Sequence, residues 1–129
     1  MRKTRFTFTA AIGWFITSLV LLTLPGTAFP QEDWLDKIWF DKWVHIGMFA
    51  LLVILWCLVM RSLKKGISFR ELILPFSIVA IIFLGYGIIM EFIQKYFIPY
   101  RSFDFGDIVA DAVGCTGGLI FSIKRYIKK

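Results

Sequence analysis

Long apolar runs alternate with short polar connections along the whole chain. No charged residue falls between Arg5 and Glu32, and Phe6 to Leu24 forms a continuous, largely apolar stretch within that interval. Trp43 to Met60 carries no formal charge if His45 is neutral, and Leu72 to Met90 carries none. Ile108 to Ile123 holds only Asp111 and reaches spanning length if its helix begins near Asp104. A helix needs about 20 mostly apolar residues to cross a bilayer. The pattern therefore predicts an all-α fold: a four-transmembrane-helix bundle forming one membrane domain over residues 1–129. Its spans are expected at about 6–24, 43–60, 72–94 and 105–123.

The connections refine this picture. Pro25-Gly26 ends the first run, and Pro75 is expected in the first turn of the third, where proline is tolerated. Trp34 and Ile38, like Trp39 and Trp43, are four apart, which suits a short helix lying flat at the interface within an aromatic belt. The start of the chain also has features of a secretory signal: a basic start, an apolar stretch and the small-x-small triplet Gly26-Thr27-Ala28. Its apolar stretch is longer than a typical signal core and fits the charge topology of the other spans. A retained first helix is therefore favoured over a cleaved one.

Composition agrees with a membrane chain: 58% hydrophobic and 19% charged residues. The net charge of +6 changes the picture only through its placement. Arg2, Lys3 and Arg5 precede the first span; Arg61, Lys64, Lys65 and Arg70 join the second to the third; Lys124, Arg125, Lys128 and Lys129 follow the fourth. The other two connections hold Lys37, Lys42, Lys95 and Arg101 beside most of the acids. The positive-inside rule then puts both termini in the cytoplasm, and nucleic acid is not an expected partner. Membrane lipids are, since basic loops meet anionic head groups. Cys57 and Cys115 both fall inside spans, where a disulfide is improbable and free cysteine acts as a small buried hydrophobe.

Three pairs of polar residues gather toward the outer side. Asp41 and His45 share a face of the second helix, Glu91 and Gln94 of the third, and Asp107 and Asp111 of the fourth. Arg101 and Asp104 lie in the connection above them. Ionisable groups near hydrocarbon cost a few kcal/mol, so they pair and face the bundle interior. Each also has a plainer explanation. Asp104 and Asp107 suit an N-cap and its third helical residue, Asp41 with Lys42 can mark a helix start, and Gly114 and Gly118 permit close packing. His45 is either a hydrogen-bonded interior histidine or a group that titrates near neutral pH. Glu91 and Asp111 resist a plain explanation most, although an ion pair to Arg101 would suffice for either.

In these residues the sequence resembles the VanZ-like family of small membrane proteins. The matching pieces are Asp41-Lys42-x-x-His45, Glu91-x-x-Gln94 and Arg101-x-x-Asp104-x-x-Asp107, running on to Gly114. The resemblance covers nearly the whole chain and implies a bacterial multi-pass protein of the cell membrane. By association it implies a link to glycopeptide (teicoplanin) resistance or envelope physiology. The family often has asparagine where this chain has Asp111.

Two functional classes follow. In the first, an outer polar pocket of Asp41, Lys42, His45, Glu91, Gln94, Arg101, Asp104, Asp107 and Asp111 binds a lipid-linked or peptidoglycan-related group. Arg101, Lys95 and Lys42 would meet phosphate or carboxylate, and the aromatic stretch Tyr96 to Tyr100 would meet acyl or ring surface. In the second, a membrane-embedded enzyme uses His45 and Glu91 as acid and base, or with Asp107 and Asp111 as ligands of a divalent cation. No nucleophile motif, zinc-protease motif or glycine-rich phosphate loop supports catalysis, so no metal or cofactor is expected. Transport would need a homo-oligomer, and no charged residue sits in the inner half of any span.

Overall fold

The computed structural model describes residues 2–25, 40–64, 68–99, 101 and 103–127. Among them are four helices and no strand: α1 (Arg2–Thr23), α2 (Phe40–Leu63), α3 (Phe69–Phe97) and α4 (Phe105–Tyr126). All four are long and apolar enough to cross a membrane. At 1.5 Å per residue even the shortest extends about 33 Å, matching a hydrocarbon core of about 30 Å. The expected interfacial helix around Trp34 and Trp39 lies outside the described residues.

The helix ends follow local chemistry. Before α3, the Ser68 backbone N–H donates to Glu71 Oε2 at 3.1 Å, one arm of a capping box. This starts the helix upstream of the expected point, so Pro75 falls in its second turn rather than its first. Proline there leaves the carbonyl four residues back without its usual donor. That position lies near the helix end, where water can replace the missing bond. At α4 the N-cap is Asp104, whose side chain accepts from the Gly106 backbone N–H at 2.8 Å.

The helices alternate in direction. The C-terminal ends of α1 and α3 lie together, joined by the Gln94–Leu22 bond, and the starts of α2 and α4 lie together, joined by Lys42 and Asp104; the Asp104 backbone N–H donating to Glu91 brings both pairs to one end of the bundle. At the opposite end Arg61 lies over the Tyr126 ring, 5.5 Å from its centroid. The interior is filled by Phe49, Leu52, Val53, Cys57 and Phe76, all fully buried. Both cysteines are free and buried, as expected of small hydrophobes. Large apolar side chains such as Phe6, Ile81 and Phe121 point outward, which water would penalise and a lipid surround does not. Midway along its length, helix α1 is tied in by polar contacts: Trp14 Nε1 donates to the Met48 carbonyl at 3.1 Å, and Ser18 Oγ lies 3.0 Å from the Tyr86 hydroxyl.

The closest helix contact is that of α2 with α4. Glycine makes it. A Cβ on Gly114 would collide with the Ile46 carbonyl oxygen, and one on Gly118 would sit 2.7 Å from that of Ala50. Backbone therefore lies on backbone one turn below the polar residues, fixing how α4 faces α2. Gly117, on the same helix, has open space at its Cβ. Gly114→Ala and Gly118→Ala should each lose about 1–3 kcal/mol through overpacking, whereas Gly117→Ala should be neutral or mildly stabilising. Thermal unfolding of the three variants in detergent checks this, and equal losses in all three would refute it.

Candidate functional site

The polar site sits at the end of the bundle where α2 and α4 begin and α3 ends. Lys42, on the first turn of α2, lies at its centre. Its ammonium group is 2.7 Å from Asp41 Oδ2, 2.5 Å from Asp104 Oδ2 and 2.7 Å from Asp107 Oδ1. An ammonium has three N–H donors, and three carboxylates take them. Of these acids, Asp104 caps α4 and Asp107 lies in its first turn, where the helix dipole also favours negative charge. The hydrogen bond from Lys42 holds the Asp104 carboxyl below the usual carboxylate range, against a smaller opposing effect of burial. Gly106 leaves room for the lysine, since a Cβ there would lie 2.9 Å from Lys42 Cε.

One turn deeper, His45 Nδ1 lies 2.7 Å from Asp111 Oδ1. Asp111 is 1% exposed and His45 6%. Gly87 on α3 gives the carboxylate its space: a Cβ would stand 2.5 Å from Asp111 Oδ2. The other ring nitrogen, Nε2, faces Asp107 Oδ2 at 3.7 Å, beyond hydrogen-bond range. Phe49 stacks parallel to the imidazole with centroids 6.3 Å apart. From α3, buried Glu91 accepts the Asp104 backbone N–H at 3.0 Å, tying that helix to the N-terminus of α4.

Gln94 and Arg101 turn elsewhere. Gln94, buried, donates through Nε2 to the Leu22 carbonyl at 2.8 Å. Arg101 Nη2 reaches the Leu21 and Leu22 carbonyls at 3.5 Å. Both therefore serve the last turn of α1, whose carbonyls lack intrahelical donors and attract positive charge. Burial lowers the Arg101 pKa, while Asp107, Glu91 and Asp41 act in the opposite sense.

The geometry revises parts of the sequence reading. Asp41 and His45 do share a face of α2, yet their partners differ: Asp41 meets Lys42 at the surface and His45 meets α4. Lys42, expected either to mark a helix start or to meet a ligand's phosphate or carboxylate, is engaged by three carboxylates of the protein itself. Asp111, for which Arg101 was a candidate partner, is held by His45. Four participants escaped the sequence reading: Ser18, Tyr86, Gly87 and Gly106. A glycine pair around Tyr86 within a span, and a glycine between two aspartates, are signals of close approach that could have flagged the last two.

Among the described residues, two groups of side chains could hold a cation: Asp41, Asp104 and Asp107, and His45, Glu91 and Asp107, each with ligand atoms within 4.8 Å of one another. The first already surrounds the Lys42 ammonium.

Residues 6–125 match the VanZ/LLP1 family. The chain belongs to that family. The matched region of this VanZ/LLP1 protein includes every residue of the polar site. No curated protein and no solved structure matches the chain.

Because Lys42 serves three carboxylates, Lys42→Met should cost about 1–3 kcal/mol or more by orphaning them. Adding Asp107→Asn to Lys42→Met should recover part of that loss, since one uncompensated charge is then gone. Unfolding midpoints of the single and double variants in detergent provide the check. A simply additive loss would mean that Lys42 stabilises by packing rather than by charge.

Proposed function

We propose that this protein acts at the outer face of the bacterial cell membrane, binding a lipid-linked or peptidoglycan-related envelope component in its polar pocket. The observation that carries this reading is the convergence of His45, Glu91, Asp107 and Asp111, all buried, at one end of a membrane bundle. Ionisable groups at that depth are costly and are a mark of function. The charge asymmetry of the connections supports an orientation with that end away from the cytoplasm and both termini inside. The family's association with glycopeptide (teicoplanin) resistance accords with a ligand of this class.

The site suggests how such a ligand would lie. Lys42 is already engaged by its three acids, so the pocket offers mainly acceptors, suited to the hydroxyl, amide or amine donors of a sugar-peptide head group. Lys95, exposed beside Tyr96 with its ammonium 5.1 Å from the ring centroid, is the better-placed cation for phosphate at the membrane surface. An apolar groove of about 650 Å³ runs along α3 and α4, from Phe105 at the polar end past Val109 and Val113 to Ile120. A polyprenyl chain in that groove would leave its head beside the N-terminus of α4. A catalytic version of the reading rests on the His45–Asp111 bond, which orients the imidazole for acid–base work.

The test is retention of a polyprenyl-diphosphate disaccharide-peptide by the detergent-purified protein, measured by native mass spectrometry against an anionic phospholipid of equal charge. The wild type should prefer the precursor, and Glu91→Gln should reduce that preference at least about 10-fold, equivalent to 1.4 kcal/mol. Equal retention of both lipids, or an unchanged preference in the variant, would refute the binding reading. Turnover of the precursor by wild type but not by His45→Ala would establish the catalytic version.

A further inference from the structure

We infer that His45, Glu91 and Asp107 form a binding site for a divalent transition-metal cation of the zinc or manganese class. The donors are one imidazole nitrogen and two carboxylates, a set that suits such ions better than a soft thiolate site or an all-oxygen calcium cage would. They come from three helices, α2, α3 and α4, and their ligand atoms lie within 4.8 Å of one another. Ligands about 2.1 Å from a tetrahedral ion stand about 3.4 Å apart. His45 Nε2 and Asp107 Oδ2, at 3.7 Å, are already close to that spacing. Side-chain rotation can close the rest.

Three further observations favour an ion here over a mere gathering of acids. The first is the orientation of the imidazole. Its Nδ1 is held by Asp111 at 2.7 Å, and its side chain is only 8% exposed. Nε2 is thereby turned toward Asp107, too far for a hydrogen bond. A carboxylate behind a histidine fixes its tautomer and raises its basicity as a ligand. The second is the division of Asp107: Oδ1 binds Lys42 and Oδ2 faces His45. The neighbouring trio, Asp41, Asp104 and Asp107, shows that this end of the bundle gathers oxygens around a cation, in that case an ammonium. The third is charge. The carboxylates of Asp41, Glu91, Asp104, Asp107 and Asp111 stand against Lys42, Arg101 and the His45 imidazole. A doubly charged ion would remove most of the remaining negative surplus in a region where uncompensated charge is costly.

Three protein ligands leave a coordination position for water or an external oxygen donor. The site does not depend on the envelope ligand proposed above, and its test uses metal alone. Full-length protein in detergent, stripped with chelator, is titrated with Co²⁺ and then Zn²⁺. The expected result is one Co²⁺ per chain with visible absorption bands of a low-coordinate site, abolished by one equivalent of Zn²⁺. Glu91→Gln and His45→Gln should weaken binding at least about 100-fold, and Asp111→Asn about 10- to 100-fold. Arg61→Gln, at the opposite end of the bundle, should leave it unchanged. Absence of saturable binding by the wild type, or equal affinity in Glu91→Gln, overturns the proposal. Should a ligand variant fail to fold, pulsed paramagnetic resonance of Mn²⁺ on the wild type still decides. Coupling to an imidazole nitrogen is expected, and its absence overturns the site even if the lipid-binding reading survives.

Discussion

A charge carried into the edge of a hydrocarbon layer must find its partner inside the protein, because the solvent offers none. Lys42 meets this constraint by spending all three of its donors on carboxylates, and the rest of the polar end is arranged around that fact. Two of its acids lie at the N-terminus of α4, so the ion cluster also neutralises the start of that helix. Glu91 then bonds the Asp104 backbone, which brings α3 against the same helix end. One turn below, Gly114 and Gly118 let the backbones of α2 and α4 touch. The charges set the register, and the glycines hold it.

Much of this was legible in the sequence. The lengths of the apolar runs gave four helices, because a span is a requirement on length and composition that any chain must declare. Helix α4 declares its inward face as well: Asp107, Asp111, Gly114 and Gly118 recur at helical spacing on an otherwise apolar helix. What could not be read was which cation serves which acid. Lys42 lies 62 residues from Asp104, and His45 lies 66 from Asp111. Only the azimuth of each helix decides whether such residues meet, and α2 and α3 are apolar nearly all round, so their sequences leave that azimuth open. Arg101 illustrates the same limit: its charge suggested a carboxylate partner, while the carbonyl end of α1 also required donors. The offset of Pro75 has a smaller cause, the capping by Glu71, which moved a helix boundary.

The site has two levels with different character. The upper one, with Lys42 as its hub, is partly open: the Asp41 side chain is 58% exposed and that of Asp104 44%. The lower one, around His45 and Asp111, is almost sealed. Asp107 belongs to both, one oxygen to each. Asp107 thus links the exposed rim to the shielded imidazole, through an acid that also answers to Lys42.

The sequence distances have a consequence for biosynthesis. During insertion Lys42 and His45 reach the membrane before Asp104, Asp107 and Asp111 have left the ribosome, since those acids lie more than sixty residues downstream. Gln94, which closes the end of α1, follows Leu22 by 72 residues. The first two helices must therefore wait at the bilayer edge with their polar groups served by water and head groups, and α4, following the other three, completes the ion pairs of Lys42 and His45 between helices. Assembly of the pocket thus waits for α4, and a chain truncated before it would carry an anchored but chemically unfinished site.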